Sequence, residues 1–401
     1  MKLSEQQYLK KTVCSWLGID DNDDVPTMPP NLARLFLRKE EYESSQRDQW
    51  NLWEHSYSEN YKSGKLWVPD VNYWLKETLK TSIPLWPHGY SFAICLTHDV
   101  DFISKETTFN QKLRELTVNM QNTDSTLPEK MKASALSLGK LFVHKSPSYP
   151  SVADSIEHYL SIEKKYKLSS SFFFTAYPLK KIHKYDCFYA LEDKCTFRGK
   201  KVTTLDMIKE MKDDGIDIGL HGSYLSALDV DVLKEQKHYL EKSLGFELTS
   251  TRQHWLNYDI EKTPHIQHEA GFLADTTLGF NRNIGFRSGT ALPYYHYDVK
   301  NAELVPILQV PLAFQDFALT NANSLEYGLG MAKEVVKTIL DRIIETHGCA
   351  SISFHPAGEP IHFEIYDFIL NYCTLKGGWL ASLTEIYLWW QKRLKNLNIS
   401  F

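Results

Sequence analysis

The sequence has little that would tie it to a membrane, a nucleic acid or an oxidising compartment. No apolar run is long enough to cross a bilayer. Met1–Gln7 carries no apolar signal core, so a soluble cytoplasmic protein is the expectation. The formal net charge is -5, and no polybasic run stands out, which leaves no electrostatic footprint for nucleic acid or anionic lipid. The six cysteines (Cys14, Cys95, Cys187, Cys195, Cys349, Cys373) show no CxxC spacing. Buried free thiols in a reducing compartment follow as the expectation. Several mechanism-bearing motifs are missing as well. There is no HExxH of a zincin protease, no GxGxxG or Walker A loop for a nucleotide, and no GxSxG nucleophile elbow.

What is present is a chain of 401 residues, enough for one barrel-sized domain with an extension. Hydrophobic residues make up 43% and aromatics 13%, so a large core can form. A boundary near Pro84–Gly89 separates an N-terminal extension, 1–88, from a main body, 89–401. The extension holds Trp16, Trp50, Trp53, Trp67, Trp74 and Trp86 among mixed charges. It reads as a helical or irregular layer packing its aromatics on the main body, with a sugar-stacking platform as the alternative use of those rings.

In the main body, the apolar run Ser91–Leu96 reads as a buried strand, and Thr97-His98-Asp99-Val100-Asp101 follows directly. In extended backbone, residues two apart point to the same side. Asp99 and Asp101 therefore face one space, while His98 faces the other and reads as structural. Two like charges buried together are costly without a metal or a shared proton, so this strand end reads as part of a site.

A unit then recurs: helical pattern, glycine, apolar strand, and a polar residue at the strand end. Predicted strands are Ser91–Leu96, Ser169–Phe174, Ile216–Leu220, Phe246–Thr251, Phe272–Ala274, Ile307–Leu312 and Cys349–Phe354. Predicted helices include 151–167, 203–214, 228–244, 264–270 and 324–346, several ended by glycine as left-handed caps require. Residues 103–150 read as an insertion, helical over Lys105–Met120 and looser over Gln121–Pro128. Alternating helices and seven parallel strands predict an α/β fold, a distorted seven-stranded (β/α) barrel. The polar residues past strand ends, Asp99, Asp101, His221, Arg252, His254, Asp275 and His355, then gather on the face where such barrels carry their active sites. Carboxylates with imidazoles suit a divalent ion such as zinc.

These motifs, taken in order, resemble the polysaccharide deacetylases of the NodB-homology family. Thr97-His98-Asp99-Val100-Asp101 is similar to the first motif, and His221-Gly222-Ser223-Tyr224 to the second. Arg252-Gln253-His254-Trp255-Leu256 is similar to the third, Asp275–Phe280 with Gly285–Thr290 to the fourth, and Ser353-Phe354-His355-Pro356 to the last. The resemblance covers the last three-quarters of the chain. It implies a distorted (β/α) barrel and a metal-dependent hydrolase that removes an acyl group, most often acetyl, from an amino sugar or glycan precursor. Its partner is then a carbohydrate, and cytoplasmic surface-glycan biosynthesis is the implied setting. Transferred position by position, it implies Asp99 as general base, Arg252 as the cation holding that base, and His355 as the acid that protonates the leaving amine. Asp101 and His221 become metal ligands, and Asp275 a partner that orients His355. Arg287, Tyr224, Trp255 and Tyr294 become candidates for substrate binding, with simple packing or turn formation as the alternative for Arg287 and Tyr294.

One departure matters. The family's second motif places another histidine four residues after the first, and here that position is Leu225. His254 is the natural substitute as third ligand, or else a substrate contact. The altered ligand set keeps two alternatives open: another acyl-transfer or amide-cleaving reaction on the same barrel, or a carbohydrate-binding pseudoenzyme.

Overall fold

Strand β1 (Phe92–Val100) is buried along its whole length, and its alternation organises the fold. Phe92, Ile94, Leu96 and Val100 face outward into one hydrophobic cluster shared with the surrounding helices. Ala93 and Cys95 face inward into a second. The inward row continues through Thr97 and Asp99, so small residues at the bottom give way to polar ones at the top. The structure is a computed structural model describing residues 4–79, 86–103, 114, 116, 127, 128, 131, 152–176, 183–357 and 359–401. The helix and loop expected over Lys105–Met120 and Gln121–Pro128, like most of the 103–150 insertion, lie outside the described residues.

The other strands are β2 (Ser171–Phe174), β3 (Lys194–Phe197), β4 (Lys200–Thr203), β5 (Asp217–Gly222), β6 (Ser250–Gln253) and β7 (Ala274–Asp275). After them come β8 (Tyr294–Asp298), β9 (Glu303–Gln309), β10 (Leu312–Gln315), β11 (Cys349–Ser353) and β12 (Gly378–Ala381). The main sheet runs β10-β11-β1-β2-β5-β6-β7-β9-β8, parallel except for β8, which returns antiparallel on β9. One edge of β1 is shared: β12 pairs with Phe92–Cys95 and β2 with Thr97–Val100. The result is a curled parallel sheet wrapped by helices, a distorted half-barrel of the expected α/β class.

The strands differ from expectation where local chemistry intervenes. The run Ile307–Leu312 is broken, because Pro311 offers no N–H to a ladder. β9 ends at Gln309, and β10 begins at Leu312 and pairs with β11. β6 begins at Ser250, four residues later than expected, after the left-handed cap at Gly245 (φ 83). The β3–β4 hairpin, β8 and β12 were not anticipated. Inside the barrel, a Cβ on Gly219 of β5 would stand 2.5 Å from the Phe173 ring, so only glycine fits there.

The N-terminal segment packs directly on this body. Helix Glu5–Leu17 lies against β8, with the Tyr8 hydroxyl donating to the Tyr295 carbonyl (2.6 Å) and the Trp16 indole N–H to that of Pro293 (2.8 Å). A buried ion network reinforces the contact. Glu41 accepts from Arg287 at 2.6 Å and from Arg38 at 2.6 Å, and Arg38 also reaches Glu40 at 2.7 Å. Burial disfavours ionised Glu41, but the Arg287 and Arg38 charges outweigh that and hold its carboxyl down at about 2. Among the described residues, no helix is long and apolar enough to cross a membrane. All six cysteines are unpaired and buried.

Candidate active site

The upper ends of β1, β5, β6 and β11 open into a cleft of about 550 Å³ lined by Asp99, Asp101, His221, His254, Trp255 and His355, among others. Its centre is a triad of atoms. Asp101 Oδ1 lies 3.2 Å from His221 Nε2 and 3.4 Å from His254 Nδ1. The two imidazole nitrogens are 2.9 Å apart.

The far nitrogens of both rings fix their tautomers. His221 Nδ1 is 3.0 Å from the Arg252 carbonyl, and His254 Nε2 is 2.7 Å from the Tyr185 carbonyl. A carbonyl only accepts, so each of those nitrogens carries its ring's hydrogen in the neutral form. The inward nitrogens then present lone pairs to each other and to Asp101, which is repulsive unless a proton or a metal ion sits between them. A tetrahedral ion with bonds of about 2.0 Å would set ligand atoms roughly 3.3 Å apart, close to the observed spacing. Backbone carbonyls holding the outer nitrogens are the usual support for ligating histidines. Asp101, His221 and His254 therefore fit a divalent ion by donor type, spacing and tautomer. Burial opposes charge on Asp101, but His254, His221 and His355 outweigh it and hold its carboxyl well below the usual range.

Beside this triad lies a second pair. Asp99 Oδ1 is 3.2 Å from Arg252 Nε, and both side chains are buried. Arg252 also donates to Thr97 Oγ1 (2.6 Å) and lies over the Phe173 ring at 5.4 Å. It is positioned by register: β6 pairs with β5 through His221↔Arg252, so the imidazole and the guanidinium arrive on adjacent strands at one level. His355 Nε2 is 3.9 Å from both Asp99 Oδ2 and Asp101 Oδ2.

The carboxylate that orients His355 is Asp316, not Asp275. Asp316 Oδ1 is 2.6 Å from His355 Nδ1, and Oδ2 accepts the His355 backbone N–H at 2.7 Å. Phe317 stacks on the imidazole at 4.4 Å. Burial lowers the basicity of His355, but the Asp316 carboxylate more than offsets it, and the imidazole is pushed up to about 9. Asp275 instead accepts from the Gln267 amide and from the Thr277 backbone and hydroxyl, capping the turn after β7. Burial pushes its carboxyl up to about 6. Asp316 follows Gln315, the last residue of β10. The rule that polar residues past strand ends build the site would have found it, had the strand been read beyond Pro311.

Three expected substrate contacts lie outside the cleft. Arg287 is buried against Glu41 and the Gly279 carbonyl. Tyr294 is buried too, bonded to Ser288 and edge-on to Phe36. Tyr224 stands behind the wall, stacked on His183 and bonded to the Trp50 carbonyl. Trp255 does line the cleft, and Trp50 and Tyr185 join it. His98 points away from the site, between Glu163 (3.0 Å) and the Phe354 carbonyl (3.0 Å).

No family model matches the sequence, and no curated protein matches it. Solved structures do. The chain is similar to a protein from Mycobacterium smegmatis provisionally described as a polysaccharide deacetylase, at 17% identity and a TM-score of 0.48, covering 79% of this chain and 94% of that one. It is also similar to a peptidoglycan deacetylase from Bacillus subtilis (14% identity, TM-score 0.35, 77% of this chain and 96% of that one). A third is a CE4 family pseudoenzyme from Bacillus anthracis (11% identity, TM-score 0.37, 74% and 65%).

Proposed function

We propose that this protein is a metal-dependent hydrolase that removes an N-acyl group, most simply acetyl, from an amino sugar within a carbohydrate. The observation that carries the proposal is the convergence of three lone-pair donors, Asp101, His221 and His254, beside a separate base–cation pair and a separate imidazole–carboxylate pair. Hydrolysis of an unactivated amide needs a base for the attacking water and an acid for the departing amine, and the site offers one of each. A divalent ion held by the three donors, zinc being the best match to two imidazoles and a carboxylate, would supply Lewis-acid polarisation of the acyl carbonyl.

This chain's own groups do the rest. Asp99, paired with Arg252, takes the proton from the attacking water. His355 enters as an imidazolium and donates from Nε2 to the leaving nitrogen, while Asp316 holds Nδ1–H and fixes the ring plane. Asp99 Oδ2 and His355 Nε2, 3.9 Å apart on the same cleft wall, would both reach one bound amide. His254 stands in for the histidine that Leu225 replaces. Unpaired, buried cysteines suit a reducing compartment, in keeping with action on an intracellular glycan precursor.

The test combines metal analysis with acetate release from N-acetylated amino sugars and their oligomers. One divalent ion per chain is expected, retained in Asp99→Asn, which loses hydrolysis, and largely lost in His254→Ala. Full occupancy in His254→Ala would overturn the third ligand, and an active Asp99→Asn would overturn the base.

A further inference from the structure

Among the described residues, Cys187 is the one cysteine that lines the cleft. The others serve packing: Cys14, Cys95 and Cys349 lie in one apolar cluster, Cys195 and Cys373 in the other. Cys187 borders that second cluster too, but its sulfur turns toward the donor triad. Sγ is 3.8 Å from Asp101 Oδ1 and 4.0 Å from each ring nitrogen of His254. The segment that carries it is tied to the triad on both sides. Two residues before it, the Tyr185 carbonyl holds His254 Nε2 at 2.7 Å. Two residues after it, the Tyr189 hydroxyl donates to the carbonyl of Val100, the neighbour of Asp101, at 2.8 Å and accepts the Thr175 backbone N–H at 2.8 Å. Asp186, adjacent in the chain, accepts the backbone N–H groups of His183 (2.7 Å) and Tyr224 (2.6 Å). Contacts that hold the ligands therefore also hold Cys187 beside them.

Charge and spacing both bear on what the sulfur does there. Two neutral imidazoles and the Asp101 carboxylate bring one negative charge to a divalent ion. One positive charge is then left over beside buried His221 and His254, where unbalanced charge is costly. A thiolate would bring the set to neutrality. A tetrahedral ion with bonds of about 2.0 Å to nitrogen and oxygen and about 2.3 Å to sulfur sets the sulfur roughly 3.5 Å from the other donors. The spacings of 3.8 Å to Asp101 and 4.0 Å to His254 exceed that by a margin that a small rotation of the Cys187 side chain closes.

We propose that Cys187 is a fourth, sulfur ligand of the ion held by Asp101, His221 and His254, so that the site selects zinc and softer ions over magnesium or manganese. Ligation breaks the S–H bond, forms a sulfur–metal bond and releases the proton to solvent in the cleft. This rests on the metal-dependent reading of the triad. The test loads metal-free, phosphine-reduced protein with cobalt(II) and records its absorption, which needs no substrate. One cobalt per chain is expected, with a sulfur-to-cobalt charge-transfer band in the near ultraviolet. In Cys187→Ser the band should vanish while cobalt still binds. The ratio of cadmium to manganese affinity, read by competition with a chelating dye, should fall about tenfold or more in that variant. The spectrum of the unmutated chain decides the question even if the variant does not fold. Bound cobalt without the band in the unmutated chain, a band that survives in Cys187→Ser, or an unchanged cadmium-to-manganese ratio would overturn the sulfur ligand. No bound cobalt at all would overturn both the ligand and the metal-dependent reading. The parallel readout is acetate release by the unmutated, zinc-loaded protein. Release with a band-free cobalt spectrum overturns the sulfur ligand and spares the deacylase reading. A Cys187-dependent band with no release from any N-acetylated amino sugar or oligomer supports the ligand and removes the deacylase reading.

Discussion

Replacing Asp316 by asparagine removes one negative charge and leaves the shape nearly intact. In the native site, His355 rises from an ordinary 6.5 to about 9 against the burial that would lower it, with Asp316 as the largest favourable contribution. That elevation corresponds to roughly 3 kcal/mol in favour of the imidazolium. Without the carboxylate, burial is opposed only by the more distant Asp101 and Asp99 charges, and His355 should fall back toward its ordinary value. A general acid must be protonated, so at pH 7.5 the competent fraction falls about tenfold or more. The loss should shrink as the pH is lowered.

Two assays check this. The imidazole of His355, followed by NMR in metal-free protein, should move from about 9 in the native chain down toward 6.5 in Asp316→Asn. The basic limb of the kcat/KM profile should move down with it. The stability sign agrees: a raised histidine stabilises fully below 6.5, and the contribution is lost as the pH rises through about 9. Asp316→Asn should flatten that part of the stability curve. An unmoved His355 titration would refute the pairing. A moved titration with an unmoved rate profile would refute the role of His355 as acid.

Further outcomes follow from other parts of the molecule. Arg287→Met strips Glu41 of one of its two buried cations and should cost about 3–5 kcal/mol, seen as a lower denaturant midpoint. A substrate-binding role would instead raise KM in a stable protein. Glu41, held at about 2 against an ordinary 4.5, stabilises above pH 4.5, and its contribution falls away as the pH drops toward about 2. Glu41→Gln should remove that acid-side slope in pH-dependent unfolding. Gly219→Ala should destabilise by about 1–3 kcal/mol through overpacking against Phe173, measurable by thermal melting. A neutral result there would mean that the ring can move and that the β5 register is looser than described.

The parts of the site legible in the sequence are those set by local rules. Two-residue alternation along β1 placed Asp99 inward and His98 outward. The rule that polar groups past strand ends face the site gathered His221, Arg252, His254 and His355 at the upper ends of β5, β6 and β11. Each of these depends only on a strand and its end. Asp316 obeys the same rule but was hidden by Pro311, which divides one apolar run into two strands with different neighbours. Arg287 and Tyr294 failed for a different reason. Their partners, Glu41 and Phe36, lie more than two hundred residues earlier, and nothing local to Gly285–Thr290 announces that a buried carboxylate will arrive from there. Asp275 shows the limit of the strand-end rule itself. β7 is two residues long, and the turn after it needs an acceptor for Thr277 N–H, so the carboxylate is consumed by its own loop. A strand end supplies a candidate for the site, but whether the side chain reaches it depends on what the following turn demands. The same dependence left Trp50 undistinguished among the six tryptophans of the extension. Its place in the cleft is set by the Asp48 carboxylate that accepts its backbone N–H, the Arg282 guanidinium over its indole and the Tyr224 hydroxyl on its carbonyl, which come from three separate stretches of the chain and meet only in the fold.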